Sequence, residues 1–397
     1  VTVEKLPRLN QTHSMSLITP FEAESLMLSN IDLLETETVA LENSLGRVLR
    51  ENLFADRPFP PFDRVTMDGV AFRFSDLEGS LLTLQGIHAA GNPTPPPLKE
   101  KHCWQIMTGS VIPPDCDTVI PYEEVSLTET HATINGDAVP GKFIHRQGSD
   151  ASAGDLMIKS GTRINPGHLG MMASIGALQV KVTRLPRIKI LTTGDELIPV
   201  HETPLPHQLR QSNGITLLSA IQNWGPIDAS WDHLPDNLQA TTNGIAQALE
   251  LCDLVILSGG ISKGRKDFVR PALESLRGDP LFHGVAQRPG KPLAFWKGIV
   301  ALPGNPNSTL TTFRRYVVPL LRRMTGAPDE AGITLPLAEP ISQHPFLTQF
   351  LPAKINPEGK AVSLSPQNSG DFVTPLEGTG YLEIPPGNDS ATSSHFF

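Results

Sequence analysis

Residues 187–197 read RIKILTTGDEL, and residues 253–260 read DLVILSGG. Both are runs rich in Ile, Leu and Val that end in hydroxyls and glycine. This is the pattern of a strand buried on both faces, followed by the loop that leaves its carboxyl end. Between them, SNGITLLSAIQNWG at 212–225 predicts a helix with Ser212 as cap and Gly225 as stop. Strands alternating with helices predict a doubly wound parallel sheet. The unit closes with PLAFWKGIVALPG, 292–304, as strands, and NSTLTTFRRYVVPLLRRMTG, 307–326, as a helix ending at Gly326.

Outward from this centre the texture changes. TPFEAESLMLSNI, 19–31, predicts a helix with Thr19 as N-cap, Pro20 at the first helical position and Glu22 behind the cap. A second helix is expected over Thr38 to Leu49. DRPFPPFD, 56–63, is too proline-dense for a regular element and reads as a stiff, extended loop. Residues 71–182 read as short strands broken by Gly/Pro turns, with helical character returning near 166–175, and residues from 334 onward as a small β-rich domain. The fold class is α/β and multidomain, with expected domains at 16–182, 183–327 and 333–397.

The chain has 37 Pro and 33 Gly in 397 residues, above the ordinary combined share of roughly 12%. That excess excludes a helical bundle or coiled coil. Hydrophobic residues at 39% and charged residues at 18% argue against disorder. A formal charge of −9 disfavours a broad surface for nucleic acid or anionic lipid and leaves room for a small anion on a local basic cluster. Cys103, Cys116 and Cys252 show neither disulfide nor zinc-ligand spacing. The first residues lack the order of a signal peptide and no run reaches the roughly 20 apolar residues of a membrane span, so a cytoplasmic setting is expected.

Ligands of open α/β sheets bind in the loops past the strand carboxyl ends, and here those loops carry unusual chemistry. Thr193, Gly194, Asp195 and Glu196 follow the first strand. Ser258, Gly259, Gly260 and Ser262, then Lys263, Arg265, Lys266 and Asp267, follow the second and suit phosphate held by backbone donors. A Walker A reading fails, because Arg265 stands where its lysine belongs. Arg288-Pro289-Gly290-Lys291 and Pro303-Gly304-Asn305-Pro306, with Ser308 behind, form two further rigid turns. Asp236, after Pro235, reads on its own as a helix N-cap. If Asp68, Glu196, Asp236 and Asp267 converge near a phosphate, a hard cation such as Mg²⁺ must bridge them.

Taken in order, seven stretches resemble the molybdopterin molybdenumtransferase family, the MoeA proteins and the gephyrin E domain: Pro60-Pro61-Phe62-Asp63 with Met67-Asp68-Gly69, Ile106 to Gly109, Gly148 to Asp150, Thr193 to Leu197, Ser258 to Gly264, Arg288 to Pro292, and Leu302 to Pro306. The resemblance implies a homodimer of four-subdomain chains, with a MogA-like molybdopterin-binding domain and a cleft shared with the partner's proline-rich segment. It implies transfer of molybdate into adenylylated molybdopterin with Mg²⁺ and release of AMP. It assigns Asp68, Glu196, Asp236 and Asp267 to catalysis, with Glu196, Asp236 and Asp267 at the metal, and Thr108 across the dimer cleft. Molybdopterin adenylyltransferase or acceptor molybdoenzymes are the implied transient partners.

Some positions depart from the family pattern. Val65 and Val70 replace a serine and a tyrosine beside Asp68, Gly284 stands where a lysine is frequent, Ser149 replaces a glutamate, and Pro352 an arginine. These motivate an alternative, a non-catalytic paralogue that carries molybdopterin or the mature cofactor. A nucleotide-phosphate hydrolase on the same type of domain is a third reading; it leaves the proline-rich loop and Met107-Thr108-Gly109 unexplained.

Overall fold

In the central sheet, side chains alternate between two apolar layers, as a strand period of two requires. Ile188, Ile190, Leu254, Ile256, Val300 and Leu302 face one layer with Leu217, Ile221 and Leu320; Leu191, Val255, Leu257, Ile299 and Ala301 face the other with Ile245, Ala248 and Leu273. Helices therefore cover both faces. The strand order is Asp228–Leu234, Arg187–Thr193, Leu254–Ser258, Ile299–Leu302, Ala294–Trp296, Phe282–His283. The first four strands run parallel, Ala294–Trp296 pairs antiparallel with Ile299–Leu302, and Phe282–His283 pairs antiparallel with Ala294–Trp296, so the doubly wound sheet is mixed at one edge.

The structure, a computed structural model, describes residues 17–261, 267–330, 332–366, 368 and 370–397. By packing, the chain divides into two units. The first takes the described residues to Arg50, residues 161–165, and those from Gln179 onward. It holds the α/β sheet, the helix Pro20–Ser29 and a C-terminal β domain. The helix carries a complete capping box: Glu22 N–H donates to Thr19 Oγ1 at 3.2 Å and Thr19 N–H to Glu22 Oε2 at 2.8 Å. In the C-terminal domain, Ile333–Ser342, Thr348–Ile355, Ala361–Ser363, Gly380–Ile384 and Ser390–Phe396 close into a small barrel through the pairing of Thr348–Ile355 with Gly380–Ile384. Gln287 and Arg288 join this barrel by parallel pairing with Thr348 and Gln349.

Residues 38–49 are not helical. Thr36–Ala40 is a strand paired antiparallel with Gln179–Thr183, and Leu41–Asn43 a single 3₁₀ turn. Thr36, Thr38 and Val39 are β-branched and favour extended backbone, and their partner strand lies far along the chain.

The second unit, residues 51–160 and 166–178, is built on a sheet ordered Thr118–Pro121, Gly69–Phe72, His102–Ile106, Leu81–His88, His131–Ile134, Val125–Leu127. Its proline-rich loop docks on a distant segment: Phe59 N–H donates to the Ala151 carbonyl at 2.8 Å, Gly148 N–H to the Pro60 carbonyl at 3.0 Å, and Asp63 accepts from Gln147 N–H at 2.8 Å and Arg146 Nη1 at 2.5 Å. Two of the sequence motifs thus meet. The three cysteines are free thiols, and burial pushes Cys103 and Cys116 up to about 12. Among the described residues no helix is long and apolar enough to cross a membrane.

Candidate functional site

The carboxyl ends of the central strands open into a cleft of about 980 Å³. Three of its walls are the loops read from the sequence. Thr193, Gly194 and Glu196 come from the first; Ser258, Gly259, Gly260 and Asp267 from the second; Arg288 to Pro292, Pro303 to Pro306 and Ser308 from the third. The loops interlock. Asn213 Nδ2 donates to Ser258 Oγ at 3.0 Å and to the Gly304 carbonyl at 2.7 Å, and Ser258 Oγ donates to the Pro303 carbonyl at 3.3 Å. A Cβ on Gly304 would stand 3.4 Å from Gly259 Cα, so these two loops lie back to back.

The acidic side is organised by Asp195 and Asp236, which hold each other's loops: Asp236 N–H donates to Asp195 Oδ1 at 3.0 Å, and Asp195 N–H to Asp236 Oδ2 at 3.3 Å. Asp236 is therefore no helix cap. Asn237 takes that role for Leu238–Leu251, accepting from Ala240 N–H at 3.0 Å. Asp236 lines the cleft, while Asp195 braces it from outside the lining.

Asp267 is the electrostatic outlier. Both carboxylate oxygens are shielded from water, and among the described residues none donates a well-formed hydrogen bond to them; the backbone N–H groups of Val269 and Arg270 only approach. Burial pushes its pKa up to about 6; the backbone N–H groups of Val269 and Arg270 and the charge of Arg270 oppose this, and the charge of Asp236 adds to it. A shielded carboxylate of this kind is what a cation, or a proton, would satisfy. Arg210, Arg288 and Lys291 line the same cleft. Among the described residues no three His, Cys, Asp or Glu side chains stand close enough to hold a metal ion by themselves. The residues fit an ion shared with an anionic substrate, the usual situation of Mg²⁺, which keeps one or two carboxylates and takes its remaining oxygens from phosphate and water.

Residues 18–176 match the family described as "MoeA N-terminal region (domain I and II)", and residues 189–323 the "Probable molybdopterin binding domain". Molybdopterin molybdenumtransferase of Synechocystis sp. is 36% identical over 362 residues, covering 88% of this chain and 90% of that protein. The chain belongs to the molybdopterin molybdenumtransferase family. The Haemophilus influenzae protein of the same name is 35% identical over 317 residues, covering 78% of each. The crystal structure of the molybdopterin biosynthesis moeA protein from Pyrococcus horikoshii OT3 superposes with a TM-score of 0.81 at 25% identity, covering 96% of this chain and all of that one. As a family member the chain is a transferase of molybdenum cofactor biosynthesis.

Several transferase-family positions are now located. Asp68 and Thr108 belong to the second unit, both exposed, and the fold joins them: Thr108 N–H donates to Asp68 Oδ1 at 2.6 Å. This backbone hydrogen bond, with that of the Thr108 hydroxyl, lowers the Asp68 pKa. Ser262, with Lys263, Arg265 and Lys266, lies outside the described residues. Val65 and Val70 are fully buried in apolar clusters, so neither departure removes a group from an open surface. Gly284 is in left-handed backbone at φ 100°, where a Cβ would stand 2.8 Å from Leu17 Cδ2. Arg210, Gln211, Ser212, Asn213 and Gln287 line the cleft and, Ser212 as a cap apart, carried no expectation. The polar run RQSN directly before a helix start was the available signal.

Proposed function

We propose that the chain inserts molybdate into adenylylated molybdopterin with Mg²⁺ and releases AMP. The observation that carries this reading is one cleft in which Arg288 and Lys291 stand with the shielded Asp267 and with Asp236 and Glu196. A substrate bearing a phosphoanhydride, and an oxyanion that reacts with it, need both kinds of wall.

Arg288, Lys291 and the Ser308 hydroxyl hold anionic oxygens, and the backbone of Ser258 to Gly260 supplies further donors. Gly259 and Gly260, at φ 95° and 66°, allow the main chain to approach a phosphate closely. One or two of Glu196, Asp236 and Asp267 would hold Mg²⁺ together with the substrate's own phosphates. When bound, the ion supplies neutralisation of charge on the phosphoanhydride. The Asp195–Asp236 exchange keeps that carboxylate in place before substrate arrives. The active assembly in this reading is a homodimer, with Asp68 and Thr108 offered to the cleft by the second copy, working in the cytoplasm.

The test is molybdate-stimulated release of AMP from adenylylated molybdopterin by the full chain with Mg²⁺. Asp267→Asn, which keeps the shape and removes the charge, is expected to slow release by about 100-fold or more. Release by the native chain no faster than by Asp267→Asn would discard the enzyme reading in favour of a molybdopterin carrier. The burial of Val65 and Val70 weakens the case for that carrier.

A further inference from the structure

The turn Arg288–Lys291 is held from within by a residue that does not itself need to touch substrate. Gln287 is 0% exposed. Its Nε2 donates across the turn to the Gly290 carbonyl at 3.3 Å, and its Oε1 accepts from the Tyr316 hydroxyl. Tyr316, 1% exposed, sits in Phe313–Val317, a π-type stretch between the helices Pro306–Thr312 and Val318–Thr325. Such insertions re-aim side chains and recur at functional sites. The turn packs tightly on this helix: a Cβ on Gly290 would fall 2.4 Å from Thr312 Cγ2 and 2.8 Å from Gln287 Nε2. On its other edge, Gln287 and Arg288 pair with the C-terminal barrel, and Arg288 Nη2 donates to Gln349 Oε1 at 3.2 Å.

The consequence follows from peptide geometry. A trans peptide is planar, with its C=O and N–H opposed. The Gly290 carbonyl accepts from Gln287 Nε2 and from Leu293 N–H at 3.1 Å, so the Lys291 N–H of the same peptide turns the other way. That N–H has no hydrogen-bond partner among the described residues, and Lys291 lines the cleft. We propose that Tyr316 and Gln287 are positioning residues that aim the Lys291 backbone N–H, beside the Arg288 and Lys291 side chains, as a fixed donor for an oxyanion in the cleft. The proposal rests on the reading of this cleft as the molybdate and phosphate site.

Two variants of the full chain test it. Tyr316→Phe removes one oxygen and leaves Gln287 half-satisfied; Gln287→Met combined with Tyr316→Phe removes both partners and restores an apolar fit. In both, hydrogen exchange at the buried Leu293 amide, which is bonded to the same Gly290 carbonyl and so reports the setting of that peptide, is expected to quicken about tenfold, and molybdate affinity by calorimetry to fall about tenfold. Melting temperature is expected to recover in the double variant while affinity does not. Affinity that recovers with stability would mark a merely structural pair and overturn the proposal, as would unchanged exchange at Leu293. If the native chain neither binds molybdate nor releases AMP, the functional reading fails by itself, and the exchange measurement still decides whether the pair aims the amide.

Discussion

Single residues here divide into those whose chemistry is local and those whose meaning comes from a distant neighbour. Thr19 and Glu22 form the capping box their spacing promises. Asp236 reads locally as a cap and is instead tied to Asp195, because Asn237 is one residue better placed for the helix. Asp253 shows the same distance effect. Burial raises its pKa, but Arg184 and Arg187 donate to it and hold it far below the ordinary carboxylate range. A depressed folded pKa stabilises the fold above the unfolded value of about 4 and loses that stabilisation as pH falls toward the lower folded value. Asp253→Asn is therefore expected to cost about 2–4 kcal/mol at pH 7 and to flatten the acid limb of stability. Urea unfolding at pH 7 and pH 3.5 measures both; an unchanged midpoint at pH 7 would refute the assignment.

At the scale of elements, the strands of the α/β sheet and the loops past their ends were legible, since buried parallel strands read as apolar runs and glycine and proline punctuate them. Thr36–Ala40 was not, because its pairing with Gln179–Thr183 is non-local. Gln287 and Asn213 escaped notice for a related reason: a polar residue alone in sequence gives no sign of what it will hold. The second loop offers a sharp test. Gly260 has φ 66°, and a Cβ there would meet Val269 Cγ2 at 2.5 Å and Thr193 Oγ1 at 2.9 Å. Gly359, at φ 76° in the same unit, has nothing within 4 Å. Gly260→Ala should lower stability by about 2–3 kcal/mol and weaken molybdopterin binding, whereas Gly359→Ala should cost about 1 kcal/mol and leave binding alone. Thermal unfolding and pterin titration of the two variants check this, and equal effects would count against a crowded loop.

For the whole molecule, the decisive experiment is complementation. If Asp68 of one copy serves the cleft of another, Asp68→Asn and Asp267→Asn chains, each inactive alone, should on mixing with free subunit exchange regain about a quarter of native AMP release, from the one intact site in each mixed dimer. No recovery despite exchange would remove Asp68 from a shared cleft. The sequence by itself determined the family, the doubly wound domain and the residue types of the three loops, because these depend on the order of residues and on periods of two and 3.6 that are local properties of the chain. Only the tertiary structure decided that these loops form one cleft, that the Asp267 carboxylate is shielded from water inside it, and that Asn213, Gln287 and Tyr316 brace it. Those facts depend on burial and on contacts between residues far apart in the chain, which close packing fixes and no local pattern encodes.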